Sequence, residues 1–224
     1  MKTTSVSQNL EQLTRLRFVN AFLVREDEGF TLVDTTIRAA DDLIDAARAA
    51  GGTITRIALT HGHGDHVGSL DALKERLGGS VEVLMPELDA RIHAGEKVVD
   101  GKLPGSWPTL QTTPDVRLSA GDRVGSLEVV ASPGHTPGHV AFLDTRDGTL
   151  IGGDVFTTYG GAAVSDHFHL RFPFAAMATW DKAQDLESAR ALRALDPAVL
   201  AVGHGPALRD PGAPMDAAIA RAAL

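Results

Sequence analysis

Four side chains that can bind a metal ion lie within six residues, in the segment Thr60-His61-Gly62-His63-Gly64-Asp65-His66. The segment directly follows residues 54–59, which have the length and composition of a β-strand. Imidazole nitrogens and carboxylate oxygens suit zinc, iron, manganese or cobalt. Three of the nine histidines of this 224-residue chain fall in six positions, a density that a random polar loop does not explain. The sequence therefore predicts a metal-binding loop at the end of a strand.

The same order of strand, small-residue turn and ligand recurs three times later in the chain. His135 lies in Ser132-Pro133-Gly134-His135-Thr136-Pro137-Gly138-His139, Asp154 follows two glycines, and His204 stands between two glycines. Glycine beside a ligand lets the backbone approach a crowded site. The chain has no cysteine, which excludes thiolate ligands. We expect these ligands to meet at one site, with His139 bracing its own turn and the neighbouring strand.

Strand and helix patterns are mixed in both halves of the chain, with strand pairs that a purely parallel sheet would lack. This order favours an α+β fold of two packed β-sheets with helices outside, in a single domain over residues 1–224. The predicted strands are 18–24, 30–34, 54–59, 81–85, 116–118, 127–131, 140–143, 150–151 and 199–202. The predicted helices are 39–50, 67–77, a short one from residue 86, 176–195 and 213–223.

The complete ligand pattern resembles the metallo-β-lactamase superfamily, in the order His61-x-His63-x-Asp65-His66, His135, Asp154 and His204. The match runs from about residue 18 to residue 204. The resemblance implies an αββα sandwich of two mixed sheets, with the metal site at one edge. It also implies one metal on His61, His63 and His135, and a second on Asp65, His66 and His204. Asp154 would bridge the two.

The resemblance further implies two divalent metal ions, with zinc favoured and iron or manganese as alternatives. Two such ions can share one water and lower its pKa towards ~7, giving a bridging hydroxide that attacks a carbonyl carbon. Asp65 and Asp154 would be the catalytic carboxylates. Asp34 matches an early aspartate of the family that supports the metal loop from behind the ligands. The alternative for Asp34 is an ordinary turn residue at a strand end.

Several branches of the superfamily fit less well than others. True β-lactamases usually replace the bridging aspartate, and nucleic-acid-processing members carry basic surfaces. The glyoxalase II-like and lactonase-like branch remains, and the segment 133–139 resembles it. Only 20 residues follow His204, with Arg209 and Arg221 their only basic ones. We therefore expect a thioesterase or lactonase without the glutathione-binding helical domain. A mononuclear-iron persulfide dioxygenase and a non-catalytic metal-binding module stay as alternatives.

Two long loops are predicted to supply substrate contacts. Residues 93–111 and 155–173 are irregular, and long loops often form lids or binding surfaces. The predicted substrate-binding residues are Tyr159, His167, His169, Phe172, His93 and Trp107.

The net charge of the chain indicates which classes of partner it can bind. A net charge of -8 argues against nucleic acid, which needs clustered Lys and Arg. No run reaches the ~18 apolar residues of a membrane span, and the first residues lack a signal-peptide apolar region. We expect a cytoplasmic enzyme acting on a small molecule.

Overall fold

Strand pairing divides the computed structural model, which describes residues 1–222, into two large sheets and one small one. The first large sheet has its strands in chain order, antiparallel over the first four and parallel from the fourth to the seventh. They are β1 (Lys2–Ser5), β2 (Leu10–Arg15), β3 (Val19–Glu26), β4 (Gly29–Val33), β5 (Ile54–Ala58), β6 (Glu82–Pro86) and β7 (Val116–Leu118).

The remaining strands follow in the second half of the chain. They are β8 (Arg123–Val124), β9 (Leu127–Ala131), β10 (Val140–Asp144), β11 (Thr149–Ile151), β12 (Phe156–Thr157), β13 (Ala163–Val164), β14 (Val199–Ala201) and β15 (Leu208–Arg209). Six of them form the second large sheet in the spatial order β15-β14-β11-β10-β9-β8. Its pairs are antiparallel except β11 with β14. β12 and β13 pair separately.

Helices cover the outer faces of the two large sheets. They are α1 (Ala40–Ala49), α2 (Gly64–Val67), α3 (Leu70–Leu77), α4 (Glu87–His93), α5 (Phe174–Ala178), α6 (Lys182–Ala194) and α7 (Gly212–Ala222). Leu43 and Leu73 pack on the first sheet, and Leu192 packs on the second. A central core that includes Phe22 and Phe142 lies between the sheets. These layers form the αββα sandwich that the sequence resemblance implied.

β3 shows why the central strands are apolar on both sides. Ala21 and Leu23 belong to the core under the helices, whereas Phe22 and Val24 belong to the core between the sheets. Successive strand residues point to opposite faces, and both faces of this sheet are covered. A continuous apolar run is therefore needed here, where a half-exposed strand would alternate.

The N-terminal hairpin of β1 and β2 is absent from the sequence prediction, which assigns no structure to residues 1–15. Every residue of β1 is exposed, so no apolar alternation marks it. Its place depends on backbone pairing with β2, from Lys2 opposite Thr14 to Ser5 opposite Glu11. Such edge pairing leaves little trace in a sequence.

The prediction of one continuous helix over 176–195 is wrong at residues 179–181, where α5 ends and α6 has not begun. The backbone N–H of Trp180 donates to the carbonyl of His135 at 3.0 Å, and that of Asp181 to Gly134 at 2.9 Å. The Asp181 side chain then caps α6 by accepting the N–H of Gln184 at 3.0 Å. The chain thus uses these groups to hold the His135 turn.

Three smaller differences concern segment boundaries. The predicted helix 67–77 is interrupted between α2 and α3, and the loop 155–173 contains the β12–β13 pair. The closing helix begins at Gly212, and the end predicted for it at residue 223 lies outside the described residues. No helix within residues 1–222 combines the length and the apolar character that crossing a lipid bilayer requires.

The loops that carry the predicted metal ligands all leave the same edge of the sandwich. They follow the carboxyl ends of β5, β9, β11 and β14. The two sheets are joined at this edge, because Val19 and His204 form an antiparallel bridge and the N–H of Asn20 donates to Gly203 at 2.9 Å.

Candidate metal centre

The structure brings together all seven residues that the sequence pattern assigned to metal binding. Their side chains fall into three overlapping groups in which the ligand atoms lie within 4.8 Å of one another. The groups are His61 with His63 and His135, His61 with His66 and Asp154, and Asp65 with His66 and His204. The outer two groups are the two metal sets that the resemblance implied.

Asp154 lies between these outer groups. Its Oδ2 is 3.5 Å from His135 Nε2 in one group and 3.0 Å from His204 Nε2 in the other. Its Oδ1 is 3.4 Å from His66 Nε2. Only 3% of Asp154 is exposed. A carboxylate that lies within 3.5 Å of a histidine from each group is placed to contact two ions at once.

Buried polar atoms without partners test whether these residues fit metal ions. His61 Nε2, His66 Nε2 and Asp154 Oδ1 are buried and have no hydrogen-bond partner within residues 1–222. Leaving such atoms unsatisfied costs about 1–3 kcal/mol each, and metal ions at the two outer groups would satisfy them. His63 Nδ1 and His135 Nε2 also face each other at 3.1 Å, as two nitrogens that share one cation would. The donor set therefore fits metal ions.

Hydrogen bonds from the opposite ring nitrogens orient the histidines. His61 Nδ1 lies 3.0 Å from Thr60 Oγ1, and His135 Nδ1 lies 3.0 Å from Thr179 Oγ1. His204 Nδ1 lies 3.2 Å from the carbonyl oxygen of Phe18. Oxygen partners at Nδ1 leave Nε2 as the free nitrogen, which is how proteins present imidazole to a metal.

The three histidines of the first group are held neutral. Burial lowers the pKa of His61 and His135 well below their ordinary value and lowers that of His63 to about 4. Neighbouring histidines add to the effect for His61 and His135. A neutral ring keeps a lone pair free, so these three side chains are ready to bind a cation at neutral pH.

The second group lies among carboxylates whose negative charge favours a bound cation. Burial alone would lower the pKa of His66 and His204, but Asp154 and neighbouring carboxylates outweigh it and raise that of His204 to about 9. Burial would likewise raise the pKa of Asp154, but His204 and His66 hold it well below its ordinary value. Protonated His66 and His204 balance the charge of the carboxylates when no metal ion is bound. A divalent ion would displace these protons.

Asp34 contacts the metal loop from behind the ligands, as the sequence predicted for it. Its Oδ2 lies 2.8 Å from His66 Nδ1 and accepts the Thr60 hydroxyl at 2.8 Å. Its Oδ1 accepts the Thr60 N–H at 2.8 Å. Asp34 is fully buried and has a left-handed backbone with φ of 60°. A carboxylate so placed fixes both the ring orientation of His66 and the start of the loop.

Asp89 is a buried carboxylate that the sequence analysis missed. It accepts the N–H of Gly62 at 2.8 Å, the hydroxyl of Thr136 at 2.7 Å and the N–H of Gly138 at 2.8 Å. It thereby joins the loop of His61 to the turn of His135. The sequence offered one signal for Asp89, which is its position three residues after the end of β6. β6 pairs with β5, the strand that precedes the metal loop.

Two glycines of the site allow close packing that a side chain would prevent. A Cβ on Gly203 would collide with Asp154 Oδ1 and lie 2.6 Å from His66 Cε1. A Cβ on Gly62 would lie 2.6 Å from the Trp107 ring. Real Cβ atoms do not approach this closely, so these positions require glycine.

His139 contacts its own turn, as expected, and also the loop that carries Asp154. Its Nε2 accepts the N–H of Asp154 at 3.0 Å, and its Nδ1 lies 2.9 Å from Ser132 Oγ. Burial lowers its pKa to about 3, which keeps Nε2 free to accept. His139 therefore positions the bridging carboxylate.

A cavity of about 290 Å³ opens onto the metal ligands. One side is formed by ligands from both outer groups, and the other side is apolar. The lining residues are Phe18, His63, Asp65, His135, Asp154, Phe172, Phe174, Ala175, Ala178 and His204.

Among the predicted substrate contacts, Phe172 lines this cavity, with its ring 4.8 Å from that of His204. Tyr159 does not line it but packs on Phe172 at 5.6 Å. His167 and His169 do not line it either; His167 Nδ1 instead lies 2.7 Å from Asp166 Oδ1.

The loop 93–111 packs on the metal centre from the side. The ring of Trp107 lies 5.1 Å from that of His63, and His93 Nε2 lies 2.9 Å from the carbonyl oxygen of Gly62. Neither Trp107 nor His93 lines the cavity. Both residues contact the backbone or rings of the metal loop. The sequence had instead predicted that they contact the substrate.

The fold and the histidine–aspartate cluster define a metal-binding protein of the metallo-hydrolase kind. The profile of the metallo-beta-lactamase superfamily matches residues 14–204, and the chain belongs to this superfamily. It is 42% identical over 211 residues to the uncharacterized protein YobT of Bacillus subtilis (strain 168), covering 91% of this chain and 90% of that protein.

Other relatives and solved structures agree with this assignment. A hydroxyacylglutathione hydrolase of Cereibacter sphaeroides is 32% identical over 144 residues, which are 62% of this chain and 49% of that enzyme. The chain thus matches about half the length of that relative. TTHA1623 in a di-iron-bound form has a TM-score of 0.65 at 27% identity, covering 90% of this chain and 94% of that one. A metallo-beta-lactamase from Pontibacter korlensis has a TM-score of 0.73 at 19% identity, covering 99% and 98%, which shows the shared fold.

Proposed function

We propose that this protein is a two-metal hydrolase that cleaves a thioester, a lactone or a similar ester-like bond. The observation that carries the proposal is the cavity in which ligands of both outer groups face an apolar wall. A substrate in this cavity would lie against both metal positions, with its apolar part against Phe18, Phe172 and Phe174.

We assign the candidate ligands to two metal positions. His61, His63 and His135 would hold one ion, Asp65, His66 and His204 the other, and Asp154 would contact both. Bound metal ions would supply an activated water and polarise the carbonyl group of the substrate. Zinc is the metal we propose, and the di-iron form of TTHA1623 makes iron the alternative to test.

Asp65 is placed to move a proton. Its side chain is 33% exposed, whereas that of Asp154 is 4% exposed, and it lines the cavity. Asp65 Oδ2 lies 3.3 Å from His204 Nε2, and its pKa is held below the ordinary value because nearby His66 and His204 outweigh its burial. The carboxylate is therefore ionised, and its lowered pKa makes it a weak base that would hold a proton only briefly before passing it to the leaving group.

The apolar side of the cavity supports an acyl substrate. Phe172 is 4% exposed and its ring centroid lies 5.6 Å from that of Phe18, so this pair presents a packed apolar surface to the ligands. Apolar walls with a few polar groups are typical of small-molecule sites. The similarity to hydroxyacylglutathione hydrolases supports a thioester within this class.

The test combines metal analysis with a substrate panel. Protein purified without chelator should contain about two metal ions per chain and hydrolyse at least one thioester or lactone. Removing metal should abolish turnover, and zinc or iron should restore it. A β-lactam, a phosphodiester and a persulfide serve as comparison substrates, and an Asp154→Asn preparation shows background activity. One iron per chain with oxygen uptake on the persulfide, and no ester hydrolysis, would replace the proposal by a dioxygenase.

A further inference from the structure

A larger groove of about 790 Å³ lies beside the metal cavity. One side is formed by the β1–β2 hairpin and the turn that follows β2. The other side is formed by the segment after His204, from Pro206 to Arg209. The groove is thus built from elements that the family ligand pattern does not involve.

The groove is cationic in an acidic protein. Lys2, Arg17 and Arg209 line it, and no described residue that lines it is an Asp or Glu. Within residues 1–222 none of the three forms an ion pair, although the Arg209 guanidinium donates to the carbonyl of Val6. The chain as a whole carries a net charge of -8. Three cations without carboxylate partners in such a chain produce a local positive potential that attracts anions.

Neutral polar groups complete the floor. In the β1–β2 pair Lys2 lies opposite Thr14, and Thr4 lies opposite Gln12. These four side chains therefore share one face of the hairpin. Gln12 Nε2 donates to the carbonyl of Gly205 at 3.1 Å, and Gln12 Oε1 accepts the N–H of Ala207 at 3.0 Å. These bonds fix the floor of the groove to the loop of the ligand His204.

The groove and the metal cavity share a wall. Phe18 lines the cavity, and the residue before it, Arg17, lines the groove. Tyr159 lines the groove and packs on Phe18 with ring centroids 5.7 Å apart. Arg17 has a left-handed backbone with φ of 73°, which non-glycine residues adopt rarely. The turn therefore places a cation of the groove one residue away from Phe18 in the cavity wall.

We propose that this groove binds a carboxylate or phosphate group on the substrate, away from the bond that is cleaved. The inference rests on the proposed hydrolase function and narrows its substrate class to anionic thioesters and esters. Lys2 and Arg17 would contact the anion, and Arg209 would add to the positive potential. The apolar part of the substrate would occupy the smaller cavity.

The experiment compares matched thioesters of one butyryl group. The thiol carries a carboxylate (3-mercaptopropionate), a phosphate (3-mercaptopropyl phosphate) or a hydroxyl (3-mercaptopropanol), and a glutaryl thioester of mercaptopropanol places the carboxylate on the acyl side. Any tag is placed at the C-terminus so that Lys2 keeps its position. We expect a higher kcat/KM for an anionic substrate than for the neutral one, with the ratio shrinking as salt is added.

The groove variant is Lys2→Gln with Arg17→Gln. We expect it to lower the anionic-to-neutral ratio of kcat/KM about tenfold, since each exposed contact contributes a few-fold. The control is Lys182→Gln with Arg190→Gln, which removes the same charge from the surface of α6. It should leave the ratio as in the wild type. The carboxylate and phosphate arms show which anion the groove prefers.

A titration of glutarate and of inorganic phosphate separates the two proposals. Calorimetry on metal-free protein should show binding that the groove variant weakens and the control variant keeps. If no ester is hydrolysed but this binding is found, the hydrolase proposal fails and the anion site stands. If esters are hydrolysed with no charge preference, or if the groove and control variants behave alike, the anion site is wrong.

Discussion

The carboxylate of Asp89 accepts the backbone N–H of Gly62 at 2.8 Å and so holds the middle of the His61–His63 loop. The same carboxylate accepts the Thr136 hydroxyl and the Gly138 N–H, on the turn that carries His135. All three ligands of the first metal group therefore depend on one fully buried side chain. None of these three hydrogen bonds involves a ligand side chain, and the carboxylate acts on the relative position of the two loops.

Replacing Asp89 should weaken metal binding more than it disturbs the fold. In Asp89→Asn the amide keeps one oxygen acceptor but presents N–H groups to donors, so the two loops should separate slightly. We expect metal affinity to fall about 10–100-fold, as for other residues that orient ligands. Competition with a coloured chelator measures this, and Asp122→Asn, in an exposed turn, is the control. Equal affinities in the two variants would contradict the role.

Asp89 should also give the metal-free protein a pH-dependent stability. Burial raises its pKa from 3.8 to about 6, although its three hydrogen bonds oppose the shift. Between these values the folded chain keeps a proton that the unfolded chain has released, so stability falls as pH rises, by about 3 kcal/mol in total. The difference in unfolding free energy between wild type and Asp89→Asn, measured by urea titration from pH 4 to 7, should follow this curve. A constant difference would mean that Asp89 does not titrate there.

Gly203→Ala should disable the centre without removing a ligand. The new methyl group would collide with Asp154 Oδ1 and approach the His66 ring, so Asp154 would have to leave its position between the groups. We expect activity to fall by at least 100-fold, together with loss of bound metal. Gly79→Ala is the matched control, because a Cβ there has no atom within 4 Å. Normal metal content in Gly203→Ala would show that the site tolerates the shift.

The seven candidate metal ligands could be located in the sequence because each stands in a short glycine-containing turn after a predicted strand. His61 and His204 are 143 residues apart, yet both follow strands whose carboxyl ends meet at one edge. Asp89 carries no such mark, since an aspartate in the first turn of a helix is common. Its role depends on burial against two distant loops, which no local pattern encodes.

The break between α5 and α6 and the N-terminal hairpin escaped prediction for the same reason. Residues 176–195 have helical spacing throughout, and the break arises because Trp180 and Asp181 donate to the His135 turn. β1 is exposed on both faces and gains its place only by pairing with β2. In both cases a tertiary contact outweighs local preference, and the hairpin belongs to the groove that we propose as an anion site.

Asp154→Ala should reduce bound metal from about two ions per chain to one or fewer. Asp154 Oδ2 faces His135 and His204, and no other described carboxylate lies between the two outer groups. We expect turnover to fall by orders of magnitude while the circular dichroism spectrum stays unchanged. Metal analysis after equilibration with excess zinc is the measurement. Near-normal turnover in a sample that retains two ions would refute the bridging role.

The two long loops should respond differently to mutation. From the sequence alone, both were expected to supply substrate contacts. The structure distinguishes them, because Trp107 packs on the ligand His63 at 5.1 Å, and Gly64 donates to Ser106 at 2.8 Å. In the second loop, Phe172 instead lines the cavity, as does Phe174, which directly follows this loop and is 64% exposed. The first loop thus packs against the candidate metal centre, whereas the second contributes to the cavity wall that we propose contacts the substrate.

Trp107→Ala should therefore lower metal affinity and reduce kcat/KM by a similar factor on every substrate, since His63 loses its packing partner. Phe174→Ala should keep two metals and change the order of preference among acyl chains of increasing length, because the loss of apolar contact affects longer chains more. The exposed ring makes little contribution to folding, so reduced stability should not obscure the result. Metal content and kcat/KM across acetyl, butyryl and hexanoyl thioesters test both variants together. If Trp107→Ala changed chain-length preference with metals retained, the loop 93–111 would act as a lid, as the sequence first suggested.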